Sequence, residues 1–281
     1  MKRLFYAMAA ALLPGIAGAT VVNIDFNTSA SATYTGLAAA ADPQGALAQW
    51  NAGVYVSGSG GVLTINDLVD SAGVPTQIDF TVSGIESAQN SPIGDQETQG
   101  GYLNLMRDFL RIDTGSTTNG IIVSTSGKFS GLVVGGTYEL YFFGQGNNFG
   151  SGFVSGGSIT QGQNSLFTVD SISKQTEWDN VGSNGIIGGG DGSLAENIEF
   201  VKFSAVADSN GEIAFQWANV VQGGSGNVTT DLAPSNAASG TLSSRYGALN
   251  AVQLVAVIPE PSSAILAFAG LAGLCLRRRR D

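Results

Sequence analysis

The 281-residue chain contains no histidine, and its single cysteine, Cys275, lies six residues from the end. These absences remove a His-dependent Ser or Cys triad, thiolate catalysis and ordinary zinc ligation, and they leave no internal disulfide to staple a fold. Cations are scarce as well. Of 12 Lys and Arg, Lys2, Arg3, Arg277, Arg278, Arg279 and Arg280 sit at the two ends, which leaves six for the body. Of 22 Asp and Glu, Glu260 and Asp281 lie in the tail, which leaves twenty and a body charge of about −14. Phosphate binding needs clustered cations, so nucleic acid and anionic membrane surfaces are excluded as partners of the body. No apolar run reaches the 18 or more residues of an ordinary membrane span.

The ends nevertheless point to a membrane. Lys2 and Arg3 precede the apolar run 4–13, Pro14 and Gly15 break it, and Ala17-Gly18-Ala19 supplies small residues for cleavage. This is the layout of a secretory signal peptide, a signal helix removed after Ala19. At the other end, residues 264–276 are apolar or small without a break. As a helix they would span roughly 20 Å, short of the ~30 Å hydrocarbon core. Ser262 and Ser263 lengthen the run, and arginines snorkel to headgroups. Arg277, Arg278, Arg279 and Arg280 follow directly, and four adjacent cations resist translocation. The tail therefore reads as a C-terminal transmembrane helix with a cytoplasmic stop. Just ahead, Pro259 and Pro261 lack amide donors and disfavour helix in the preceding residue, so Glu260 is held extended and solvated, in a form that suits a processing enzyme.

Pro259-Glu260-Pro261, the apolar run and the arginine block, in that order, resemble the PEP-CTERM sorting signal of Gram-negative bacteria. The resemblance implies recognition and removal of the tail by an exosortase, a membrane-embedded cysteine transpeptidase-like enzyme. It divides the chain into a signal peptide (1–19), an ectodomain (20–257) and a sorting signal (258–281).

Within the ectodomain, short runs rich in Val, Ile, Phe, Tyr and Thr alternate with turn signals, and glycine, at 40 of 281 residues, is about twice its usual ~7%. "VVNIDF", "WNAGVYV", "VLTI", "TQIDFTV", "GIIVST", "TYELYFF", "NIEFVKFS", "GEIAFQWA" and "LNAVQLVAV" read as strands. In "GEIAFQW", Ile213, Phe215 and Trp217 share one face. The pattern predicts an all-β sandwich or barrel. One segment departs from it: Tyr102, Leu105, Met106 and Phe109 stand at helical spacing, which predicts a short helix over 102–110 lying across one end. "VNIDFN", Trp50-Asn51, "LVDSAGVPTQIDFTV", "GLVVGGTYELYFFG" and "LNAVQLVAVIPEPS" are similar to β-sandwich ectodomains found ahead of such tails, and that resemblance implies a jelly-roll or galactose-binding-like sandwich. A fold of this kind transfers no activity.

Oxygen chemistry is what remains. Asp113-Thr114-Gly115-Ser116 matches the short aspartic-protease motif, but there is no second copy to share a proton, and Arg111 stands two residues before the acid, so the string reads as a turn closing an element. Asp179, Asn180, Asn184 and Asp191 crowd one loop and are the candidate ligands of a structural calcium, which takes six to eight oxygens; no other cofactor is expected. For stacking on a sugar the candidates are Trp50, Trp178 and Trp217, and the polar neighbours of Trp178 favour it. No catalytic residue is singled out. These readings converge on a non-catalytic exported protein. It would be anchored briefly in the inner membrane and then sorted to the cell surface or exopolysaccharide matrix, with a sandwich that binds or organises matrix. The rival is a secreted carbohydrate-active enzyme using a carboxylate pair, with two acids facing each other at roughly 5–10 Å in a concave cleft.

Overall fold

The computed structural model describes residues 20–28, 32–56, 61–90, 102–113, 123–145, 165–176, 194–197, 199–219 and 246–257. The period-2 runs become strands. The first sheet holds β1 (Val21–Asn27), β2 (Asn51–Val54), β8 (Thr137–Phe143), β11 (Phe200–Val206) and β14 (Ala251–Ala256), in the order β11-β8-β14-β1-β2. The second holds β3 (Leu63–Ile65), β4 (Asp79–Val82), β7 (Ser124–Ser130), β9 (Ser165–Val169), β10 (Ile172–Gln175) and β12 (Ile213–Asn219), in the order β10-β9-β12-β7-β4-β3. All neighbours are antiparallel except β1 and β2, which run parallel. The two sheets face each other across an aromatic core. Phe142 packs on Phe167 and Phe215 at centroid distances of 4.9 and 4.8 Å, and Phe80 on Phe129 at 5.0 Å. Ile213, Phe215 and Trp217 all enter this core, as their alternation requires. The result is an all-β sandwich.

A third sheet, β13 (Tyr246–Leu249), β6 (Asp108–Asp113) and β5 (Ser87–Asn90), closes one end, with Leu110, Ile112 and Leu249 completing the core. Here the helix expected over 102–110 is corrected. Only Leu103–Met106 forms a helical turn, α1, and Asp108–Asp113 is strand. The segment carries two overlapping patterns: Leu105 and Met106 at helical spacing, then Leu110 and Ile112 in alternation. A single helical turn has little stability of its own, and pairing of β6 with β5 and β13 on both sides captures the second half. Nor does α1 lie across an end. Leu105 and Met106 join Tyr34, Trp50, Tyr141, Phe143 and Phe200 in a second apolar cluster on the outer face of the first sheet. Residues 32–50 cover that face over β1, which is buried on both sides along its length, whereas β8 is so only over 141–143.

β14 lies between β8 and β1 in the middle of its sheet. A fragment of residues 20–257 is therefore expected to show a β-type circular dichroism spectrum and a cooperative melt. A fragment ending at residue 249 should show neither, because it loses both ladders of that strand.

Candidate functional site

The topology sorts the connections by end. β1 begins where β14 finishes, with the Ala256 N–H donating to the Thr20 carbonyl at 2.9 Å. At this same end lie the connections 66–78, 131–136 and 207–212 and the two-residue turn of Asp170 and Ser171, both at positive φ. The stretches 55–62, 114–123, 144–164, 176–199 and 220–245 all leave from the opposite end. Those between 144 and 245 hold the Gly/Asn/Ser-rich strings of the sequence. The strand ends from which these connections depart thus share one end of the sandwich, opposite Thr20 and Val257.

The roots of these connections are fixed by buried polar side chains. The Ser165 hydroxyl donates to the Ala248 carbonyl at 2.5 Å and accepts from Trp217 Nε1 at 3.0 Å and from the Ala248 N–H at 2.7 Å. The Thr176 hydroxyl donates to the Gly144 carbonyl at 2.5 Å and accepts from the Ser165 N–H at 3.0 Å. The Asn250 amide nitrogen donates to the Met106 and Asp108 carbonyls, and its oxygen accepts from the Gln145 N–H. None of these groups reaches solvent, and a satisfied buried network specifies one arrangement of the backbone around it.

Beneath this end sits a second polar group that the sequence did not announce. Asn23, Asp25 and Asn27 alternate along β1 as a solvent-facing row would, yet all three are buried under residues 32–50. Asp25 Oδ2 accepts the Tyr34 N–H at 2.7 Å, while Oδ1 meets no donor among the described residues. Burial pushes the Asp25 carboxyl up to about 8; the Tyr34 N–H opposes the rise, Asp108 adds to it and Asn27 opposes it. Tyr34 in turn packs edge-on against Trp50 at 5.2 Å, and Trp50 Nε1 donates to the Gly36 carbonyl at 3.0 Å. Trp50 and Trp217 are thus buried structural side chains.

Asp113 is the last residue of β6, 4.0 Å from Arg111, whose guanidinium also binds Glu86 at 2.7 Å. Trp178, the proposed calcium ligands Asp179, Asn180, Asn184 and Asp191, the cleavage residues Ala17 and Ala19, the apolar run 264–276, and the tail residues Pro259, Glu260, Pro261, Arg277, Arg278, Arg279 and Arg280 lie outside the described residues. Among the described residues, no group of three or more acids, His or Cys is placed to hold a metal, and no helix is long and apolar enough to cross a membrane.

Residues 257–280 match the model of the PEP-CTERM protein-sorting motif. No curated protein matches the chain. Among solved structures, a GH31 alpha-xylosidase from Xanthomonas citri is similar over 70% of this chain and 21% of its own, at 7% identity and a TM-score of 0.18. The chain thus spans about a fifth of that enzyme, and a likeness of this quality carries no argument. The motif identifies an exported protein that passes through a membrane-anchored sorting signal and is a substrate of an exosortase.

Proposed function

We propose that this exosortase substrate is a non-catalytic protein of the Gram-negative cell surface or exopolysaccharide matrix, and that the loop-bearing end of its sandwich binds matrix polysaccharide. The observation that supports the reading is the division of ends: the sorting tail leaves one end, and the long polar connections leave the other. Trp178 belongs to the connection between β10 and β11, whose root at Thr176 is held inside the buried network. An indole carried there, with Glu177, Asp179 and Asn180 beside it in sequence, would supply an apolar face for a sugar ring and polar groups for its hydroxyls.

The test is a glycan array, with exopolysaccharide of the producing cell included, probed with the full-length protein in detergent. Binding to at least one polysaccharide is expected. Replacing Trp178 by Ala should weaken it by on the order of 10-fold, the ordinary effect of removing an aromatic anchor. Absence of binding to every glycan would sink the polysaccharide reading, and hydrolysis of any of them would revive the enzyme.

A further inference from the structure

The end of the sandwich that carries the sorting tail also carries an exposed apolar tip. The Val257 N–H donates to the Thr137 carbonyl at 2.9 Å, and Thr137 pairs across the sheet with Val206. The turn that leads into Thr137 is tight: the Gly136 N–H donates to the Val133 carbonyl at 2.8 Å, and Gly135, at φ +73°, takes a conformation open to glycine without strain. The Gly135 N–H to the Ala207 carbonyl and the Val133 N–H to the Tyr138 hydroxyl, both at 3.0 Å, hold the turn rigid. On it, Val133 and Val134 are 72% and 61% exposed. Val206 is 56% exposed and Val257 41%. Val74, also 56% exposed, stands on a connection tied to β1 by the Ser71 N–H and the Val21 carbonyl.

A single exposed valine means nothing. Two β-branched residues at the front of a tight turn are a different matter, because such positions ordinarily hold polar residues or proline. These two fill no core and stand at the end from which the membrane segment departs. From Val257 to Ala264 there are seven residues, which reach at most about 25 Å. If 264–276 enters the bilayer, a tether of that length keeps the tip close to it. Among the described carboxylates of this end, Asp70, Asp79 and Asp208 accept backbone N–H groups, Glu212 pairs with Lys128, and Asp67 and Asp170 stand on the turns themselves. Its charge is thus negative, and attraction to lipid must be apolar rather than electrostatic.

We propose that, before processing, the sandwich stands on the exported face of the bilayer on this end, with the 133–136 turn in the interface and the long connections pointing away. The tether supplies a millimolar effective concentration, so a shallow contact that would not hold a free protein is populated while the tail is attached and lost when it is cut. The proposal rests on the reading of 264–276 as a membrane segment, and its test separates the two.

The full-length protein with Cys275→Ser would be inserted through its tail into phosphatidylcholine vesicles. A polarity-sensitive fluorophore would be placed at Val134→Cys in one sample and, in another, at Ala195→Cys, an exposed position at the opposite end. Flotation reports insertion, and spin-labelled lipid reports depth. The expected result is a blue-shifted label at 134, quenched several-fold more than the label at 195. Flotation with equal quenching at both positions overturns the docking while leaving the membrane segment intact. Failure to float overturns both. Circular dichroism checks the fold of each variant, and Val206→Cys serves as a second reporter if Val134→Cys does not fold.

Discussion

Replacing Asp25 by Asn is expected to raise the melting temperature at pH 8 and to flatten a fall in stability that the wild-type protein shows between about pH 4 and pH 8. Asp25 is fully buried, with one oxygen on the Tyr34 N–H and the other without a donor among the described residues. Burial, opposed by that N–H and reinforced by Asp108, carries its pKa from 3.8 to about 8. The sign follows from proton counts. Below pH 4 both the folded and the unfolded chain hold the proton, and nothing is lost. Between 4 and 8 the unfolded chain releases it and the folded chain does not, so stability declines as pH rises. Above about 8 the folded chain ionises too, and the loss levels off. At ~1.4 kcal/mol per unit the full effect is on the order of 4–6 kcal/mol. For a domain of this size that is a shift of roughly 10 °C or more. Asparagine has the same shape, keeps an acceptor for Tyr34 and carries no charge. Thermal melts of both proteins from pH 4 to 9 decide the matter. A lower melting temperature for Asp25→Asn at pH 8 would show that the carboxylate is needed in its charged form, and the buried-acid account would fail.

That residue also shows where sequence reading stops. The composition of "VVNIDF" identified β1, but nothing local to the strand says that residues 32–50 fold back over Asn23, Asp25 and Asn27 and bury them. Burial on a second face is a property of a distant segment, and periodicity cannot report it. The segment from 102 to 113 failed for another reason: helical and strand spacings share Leu105 to Leu110, and the choice is made by pairing with β5 and β13, which lie outside the window. β12, a strand with one clean apolar face, was legible from its alternation, whereas β7, with Gly127 and Phe129 as its buried positions, was not. That the strands flanking the Gly/Asn/Ser-rich stretches all end on one side of the sandwich depends on which strands neighbour which, and no local pattern reports it. The sorting motif was legible because its parts stand in linear order within one short stretch, the one matched at 257–280.

The largest effect is expected at Glu260. Its replacement by Ala should leave the protein in the inner-membrane fraction at unprocessed mass, in a host that carries its exosortase, where wild type is cut. Insertion should be untouched, because 264–276 is unchanged and still ends in four arginines. The geometry of the domain makes the motif's position demanding. β14 ends at Ala256, and the Val257 N–H is fixed to the Thr137 carbonyl, so only Ile258 separates held backbone from Pro259. The motif therefore begins two residues from held backbone, and, on the reading of 264–276 as a membrane segment, the two prolines disfavour extension of a helix back into it. Glu260 is the one charge between them. A six-residue Gly-Ser insertion after Ile258 distances the motif from the domain without altering it and should be processed at least as well as wild type. Replacing the four arginines by Ser tests the other half of the signal. Each arginine costs about 2.5–3.5 kcal/mol at the membrane centre, so their loss should let unprocessed protein slip from the membrane. Processing of Glu260→Ala at the wild-type rate would show that the tail serves as a plain anchor and that the residues between the prolines carry no signal.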